Sequence, residues 1–165
     1  MRIKQSTHIR ALALLGLLAP AEATAQAAEA CGTAGTLLMH CTFDNGAKQV
    51  GLCLYDDTVT YQFGPNFSAL ELTLSTRFAD LDYVPYGWAS NTIYESVTLR
   101  NVDTTYEVFM SSRRGPTPGP AEGGIIVTSP NQSRTTLTCD DRSLVTNEPL
   151  EGCLLYTSPS PRDRG

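Results

Sequence analysis

The chain has 165 residues, of which 41% are hydrophobic and 18% are charged, with a formal net charge of −5 at pH 7. Residues 31–152 are more acidic than the whole, because 14 of the 17 acidic side chains but only 7 of the 12 basic ones lie there, a net charge of −7. Nucleic-acid binding needs clustered Lys and Arg, and attraction to anionic lipid needs a basic surface. The composition therefore argues against both partner classes.

Residues 1–30 have the layout of a secretory signal peptide. A basic start precedes a short apolar run at 11–18, and small-x-small cleavage options end at Ala25, Ala27 and Ala30. An apolar run of about 8 residues is too short to span a bilayer as a retained helix. We therefore predict export to the periplasm or the medium, with no membrane span.

Lipid anchoring at Cys31 is not expected. A lipidated cysteine normally has an aliphatic residue three places before it, directly after the apolar core. Here Ala28-Glu29-Ala30 precede Cys31, and a polar stretch separates them from the apolar run.

The composition after residue 30 is typical of β structure. Short runs rich in Thr, Val, Tyr, Phe and Leu alternate with Gly, Pro, Asn and Asp clusters, and no segment shows a sustained apolar period of 3.6. We predict one all-β domain over 31–152, with about eight antiparallel strands in a meander that closes as a small barrel or a sandwich. The predicted strands are 37–43, 49–55, 58–63, 69–75, 92–100, 105–111, 125–129 and 134–139, with a less regular stretch at 80–90.

Side chains alternate between apolar and polar within these strands. Val59, Tyr61 and Phe63 share one face of 58–63, and Leu70, Leu72 and Leu74 share one face of 69–75. We therefore expect each strand to have one side facing the core and one side facing water.

Four cysteines lie between the leader and residue 153, at Cys31, Cys41, Cys53 and Cys139. An even count in an exported protein predicts two disulfides, whereas a zinc site would need closer pairs and more histidines. If Phe43 faces Gln49 in the first hairpin, Cys41 and Cys53 are diagonal neighbours about 7 Å apart, against about 4 Å in a disulfide. Either a longer or bulged loop brings Cys41 and Cys53 together, or one of them bonds to Cys139. The sequence does not decide among the three possible disulfide pairings.

An aromatic segment in the irregular stretch is the main binding candidate. Tyr83, Tyr86 and Trp88 surround a Pro and a Gly, and such rings present rigid surface to a sugar or a protein. The alternative is that the rings fill one end of the core. Arg113 and Arg114, beside a Pro/Gly-rich loop, are a second candidate that could meet an acidic partner.

Catalytic arrangements are poorly represented. Nucleophilic catalysis and metal binding both need histidines, and His40 is the only one after the leader. Alternation places His40 opposite Cys41, on a face expected to meet water. The adjacent acidic pairs, 56–57 and 140–141, fit turns better than a glycosidase cleft. We predict no catalytic residue, no metal and no cofactor.

The C-terminal residues do not resemble a fold element. Residues 153–163 match, in order, the translation of a transposase-type sequencing adaptor. We therefore treat residues 153–165 as an artefactual tail outside the fold. The natural chain is predicted to diverge near Gly152, so that the domain is truncated at its C-terminus.

A set of short motifs is shared with other secreted proteins. It comprises Cys41, Asn45-Gly46-Ala47-Lys48, Cys53, Tyr61-Gln62-Phe63-Gly64, Glu71-Leu72, Gly123-Gly124-Ile125 and Leu137-Thr138-Cys139-Asp140. On these motifs the chain resembles a loose group of uncharacterised secreted small β-proteins of Gram-negative bacteria, which implies export and disulfides. The chain is also similar, more distantly, to the periplasmic inhibitors of C-type lysozyme, but the Ser-Gly-x-x-Tyr loop of that family is absent.

Taken together, these features predict an exported, non-catalytic protein of the bacterial envelope that binds a protein or glycan partner. A periplasmic inhibitor of a lysozyme-like hydrolase is the first alternative. A carboxylate-dependent glycan hydrolase is the second.

Overall fold

A computed structural model describes residues 27–85, 91–113 and 120–146 and places ten strands within them. In this part of the chain, no helix has the length and apolar character needed to cross a bilayer. The strands are β1 (Thr36–Phe43), β2 (Lys48–Tyr55), β3 (Thr58–Gly64), β4 (Leu72–Arg77), β5 (Asp82–Val84), β6 (Thr92–Asn101), β7 (Thr104–Arg113), β8 (Glu122–Thr128), β9 (Arg134–Thr138) and β10 (Val145–Thr146).

The strands form two antiparallel sheets of five strands each. The first has the order β10-β1-β2-β3-β4 and the second the order β5-β6-β7-β8-β9. Both sheets contribute side chains to one apolar core, in which the rings of Tyr61 and Tyr106 meet across the interface with centroids 5.7 Å apart. The packing of two sheets on one core is a sandwich. The predicted all-β class is confirmed.

Two strands go beyond the eight predicted ones. β5 lies in the stretch expected to be irregular, and β10 follows the last predicted strand and returns to pair with β1. Strands of three and two residues are too short to show alternation in a sequence.

The fourth predicted strand starts later than expected. Ala69 donates its N–H to the carbonyl of Asn66, and the regular strand begins only at Leu72. Leu70 is therefore 37% exposed and does not point inward as predicted. Leu72 and Leu74 do pack against the core.

The first hairpin has a register one residue away from the predicted one. Phe43 pairs with Lys48, which places Cys41 opposite Val50 on the core side of the sheet. Cys53 then lies on the other side, because successive residues of a strand face opposite ways. The two cysteines of the hairpin therefore cannot bond to each other.

Both predicted disulfides are present, and the structure resolves their connectivity. Cys41 bonds to Cys139 with a Cα–Cα distance of 5.7 Å and links β1 to the residue after β9, across the core. Cys31 bonds to Cys53 with a Cα–Cα distance of 5.6 Å and holds the segment before β1 against β2.

The expectation that every strand has a side facing water is wrong for the first hairpin. In β2, every residue from Gln49 to Leu54 is buried. A short helical segment at 27–31 and the ring of Phe67 cover the outer face of this hairpin. The covering residues belong to segments that precede β1 and follow β3. The alternation of residues within a strand therefore could not predict that this face is buried.

Candidate functional site

One end of the second sheet carries a cleft that includes Arg113, one of the predicted binding residues. Thr92 at the start of β6 pairs with Arg113 at the end of β7, and Ser111 pairs with Glu122 at the start of β8. The start of β6, the end of β7 and the start of β8 therefore lie at one end of the sheet. The cleft has a volume of about 390 Å³ and is lined by Thr92, Ser111, Ser112, Arg113, Pro120 and Glu122.

The walls of this cleft are polar and carry both signs of charge. Arg113 and Glu122 are exposed, and neither makes an ion pair with another residue of the described ranges. Ser111 and Ser112 of β7 also line the cleft. A guanidinium, a carboxylate and hydroxyls together can donate to and accept from a polar, hydroxyl-rich ligand.

Of the residues predicted to bind a partner, the structure describes Tyr83 and Arg113. Tyr83 pairs with Val97 in β5–β6, is half-buried and packs against the core, which agrees with the alternative of a ring that fills the core. Tyr86, Trp88 and Arg114 lie outside the described residues.

A pair of aromatic rings that sequence reasoning did not select lies on the outer face of the second sheet. Tyr94 and Phe109 have ring centroids 5.9 Å apart and planes inclined by only 12°. Phe109 leans over Gly124 of β8, since a Cβ on that glycine would meet two ring carbons at 3.0 and 3.1 Å. Both rings are half-buried, so part of each contacts solvent.

The surroundings of this pair follow from the strand register. Val84, Phe109 and Gly124 lie in one row across the sheet, and Val84 is 46% exposed. The next row contains Thr98, Glu107, Ile126 and Thr136. Tyr94 itself pairs with Ser111, a residue of the cleft. The ring pair and the cleft are thus parts of one surface, here called the outer face of the second sheet.

A hydrogen-bonded carboxylate fixes the edge of the ring pair. The Tyr94 hydroxyl donates to Oε1 of Glu107 at 2.8 Å, and Oε2 of Glu107 lies 3.6 Å from the Arg134 guanidinium. Burial, followed by the interaction with Glu107, raises the pKa of Tyr94 to about 12. The Tyr94 hydroxyl therefore stays protonated at neutral pH and continues to donate its hydrogen bond to Glu107.

The sequence did contain a signal for these rings. Tyr94 alternates with Ser96 and Thr98 on the polar face of its strand, and Phe109 is on the polar face of β7. Aromatic residues on an otherwise polar strand face are candidates for a contact surface. Both residues lie within the predicted strands 92–100 and 105–111.

His40 is buried and does not face water, contrary to the prediction. Its exposed fraction is 0%, its Nε2 lies 3.3 Å from Oε1 of Gln49, and its ring centroid is 5.8 Å from that of Phe67. Burial lowers the pKa of His40 despite the hydrogen bond with Gln49. The expectation failed because the covering segments close the outer face of β1.

The carboxylate of Asp140 has a structural environment. It accepts hydrogen bonds from the Thr42 hydroxyl at 2.8 Å and from the N–H groups of Asn45 and Gly46 at 3.0 and 2.8 Å. Desolvation alone would raise the pKa of Asp140, but these hydrogen bonds outweigh it and lower the pKa. Both carboxylate oxygens thus hold the β1–β2 turn.

Within residues 27–85, 91–113 and 120–146, no three His, Cys, Asp or Glu side chains are grouped as potential metal ligands. Comparisons of the chain with protein-family models, with curated proteins and with solved structures give no match.

Proposed function

We propose that this protein is exported to the bacterial envelope or medium and binds a glycan, without catalysis, on the outer face of its second sheet. The observation that carries the proposal is the parallel pair of Tyr94 and Phe109, whose rings adjoin a carboxylate–guanidinium pair on one side and a polar cleft on the other. Sugar rings have apolar C–H faces and polar edges, so a binding surface needs both kinds of group side by side.

The two disulfides support the export part of the proposal, since disulfides form and persist in oxidising compartments. The non-catalytic part is supported by two side chains. His40 is fully buried and cannot reach a substrate, and Asp140 uses both carboxylate oxygens on the β1–β2 turn.

The test is a titration of the purified, exported protein with soluble peptidoglycan fragments and with neutral oligosaccharides, followed by calorimetry. The expected result is saturable binding to at least one saccharide class. Phe109→Ala should then weaken binding about tenfold or more, which corresponds to about 1.4 kcal/mol or more.

Val102→Ala is the matched control, because Val102 is 90% exposed in the β6–β7 turn at the opposite end of the same sheet. Its affinity should equal that of the unmodified protein. Melting temperatures of both variants separate loss of binding from loss of folding. Capture of a protein from a periplasmic extract, with no binding to any saccharide, would contradict the glycan proposal and favour a protein partner.

A further inference from the structure

The segment immediately before β1 is a built-in part of the folded domain. Ala27, Ala30 and Cys31 have exposed fractions of 3, 4 and 5% and pack with Leu37 and Cys53 in a small apolar cluster. Three of these five residues come from the boundary between the predicted leader and the predicted domain. The cluster therefore bears on where the leader ends.

Ala30 is held by both its side chain and its backbone. Its Cβ lies over Gly51 of β2, where an added Cβ would stand only 3.0 Å away. Its carbonyl accepts a hydrogen bond from Nε2 of Gln62 at 3.1 Å. A larger residue at position 51 would push Ala30 off the sheet, so the glycine and the alanine fit each other.

Cys31 is held by three contacts, which involve its sulfur and its carbonyl oxygen. Its sulfur bonds to Cys53, and its carbonyl accepts hydrogen bonds from the Tyr55 hydroxyl at 3.1 Å and from the N–H of Gly35 at 3.2 Å. A sulfur in a disulfide cannot also form the thioether to a lipid. The contacts of Cys31 thus agree with the expectation that it is not acylated.

Small-x-small sites end at Ala21 and Ala23 as well as at Ala25, Ala27 and Ala30, and cleavage at these sites would differ in what it removes from this cluster. Cleavage after Ala30 would remove the acceptor of Gln62 and place a charged amine on the buried Cys31. A buried amine without a partner is costly. Cleavage after Ala27 would remove a side chain that is buried in the cluster. Cleavage after Ala25 is the latest that leaves every one of these contacts in place.

We propose that the leader is removed by hydrolysis of the Ala25–Gln26 peptide bond, so that the mature protein begins at Gln26. Water adds across the C–N bond, leaving a carboxylate on Ala25 and an amine on Gln26. The new amine can attack the side-chain amide carbon of Gln26 and release ammonia, which closes a pyroglutamate ring. This inference rests on the proposed export and specifies its processing site.

The test is expression of the full chain with its leader in a Gram-negative host, followed by intact mass and N-terminal peptide mapping of the exported protein. We expect a chain that starts at Gln26, either free or lighter by one ammonia, with Cys31 bonded to Cys53. A start at any other residue, such as Glu22, Thr24, Ala28 or Cys31, or an acylated Cys31, would overturn the inference while leaving export in place. A chain that keeps its whole leader and stays in the cytoplasm would overturn export and this inference together.

Two substitutions give a matched pair. Ala23→Lys alters the small residue two places before Ala25, and we expect a several-fold loss of processed protein with precursor accumulating. Ala28→Lys alters the corresponding position of the site that ends at Ala30, at an exposed residue. It should leave both the yield and the start at Gln26 unchanged, and the reverse pattern would overturn the inference.

Discussion

Cys41 and Cys53 lie on adjacent strands of the first hairpin, yet Cys41 faces the core between the sheets and Cys53 faces the segment before β1. Each sulfur therefore crosslinks a different part of the chain. The Cys41–Cys139 bond joins residues 98 positions apart, and the Cys31–Cys53 bond joins residues 22 positions apart.

The two disulfides should differ in their contribution to stability. A crosslink restricts the unfolded chain more when it closes a longer loop, and the chain-entropy relation gives about 4.7 kcal/mol for Cys41–Cys139 and about 3.4 kcal/mol for Cys31–Cys53. We expect Cys41→Ala/Cys139→Ala to lower the free energy of unfolding more than Cys31→Ala/Cys53→Ala does. Urea unfolding of both double variants measures the difference, and an equal or reversed order would contradict it.

His40 should make stability depend on pH. Its pKa is lowered in the folded protein, so below its ordinary pKa of about 6.5 the unfolded chain takes up a proton that the folded chain excludes. The free energy of unfolding therefore has its full value above about pH 6.5 and declines as the pH falls below that value. Urea unfolding between about pH 7.5 and about pH 5 measures this slope.

His40→Leu is the matched variant for that slope, because it removes the only imidazole outside the leader and keeps an apolar side chain at a buried position. The variant should show no slope between these pH values. A wild-type protein whose free energy of unfolding stays constant across the same range would sink the prediction.

Asp140 should stabilise the β1–β2 turn. Asp140→Ala leaves the Thr42 hydroxyl and the N–H groups of Asn45 and Gly46 without this acceptor, and because water can reach the two N–H groups we expect a loss of about 0.5–1.5 kcal/mol. Because the pKa of Asp140 is lowered, the contribution is present above about pH 4 and is lost as the pH falls through the lowered value. Chemical denaturation checks the magnitude.

The neighbouring carboxylate provides the control. Asp141 is exposed, and substitutions at such surface positions usually change stability by less than about 0.5 kcal/mol. We expect Asp141→Ala to have the same free energy of unfolding as the wild-type protein. An effect as large as that of Asp140→Ala would show that the loss of a negative charge, and not the loss of the turn hydrogen bonds, is responsible.

Gly124 should tolerate no side chain, whereas its neighbour should be more permissive. A Cβ on Gly124 would collide with the backbone carbonyl of Leu137, and strand β9 would have to move. A Cβ on Gly123 would meet mainly the ends of Leu144 and Met39 at 3.0 Å, and flexible side chains can shift. Gly124→Ala should lower the melting temperature clearly more than Gly123→Ala, and differential scanning calorimetry compares them.

The sequence by itself determined the β class, the number of disulfides and most of the strands. These properties are local: alternation over a few residues, turn residues at 44–46 with positive φ, and a count of cysteines. They predict that a strand exists and which of its residues share a face. The strand around Val59 and Tyr61 was predicted correctly for this reason, and both side chains are in the core.

Only the tertiary structure decided which faces are covered and which cysteines meet. A register change of one residue between Phe43 and its partner moved Cys53 to the opposite side from Cys41, because the side-chain period of a strand is two. His40 became a buried residue because residues 27–31 and Phe67, which lie outside its strand, cover it. Tyr94 and Phe109 meet for the same kind of reason, since the pairing of β6 with β7 places them side by side.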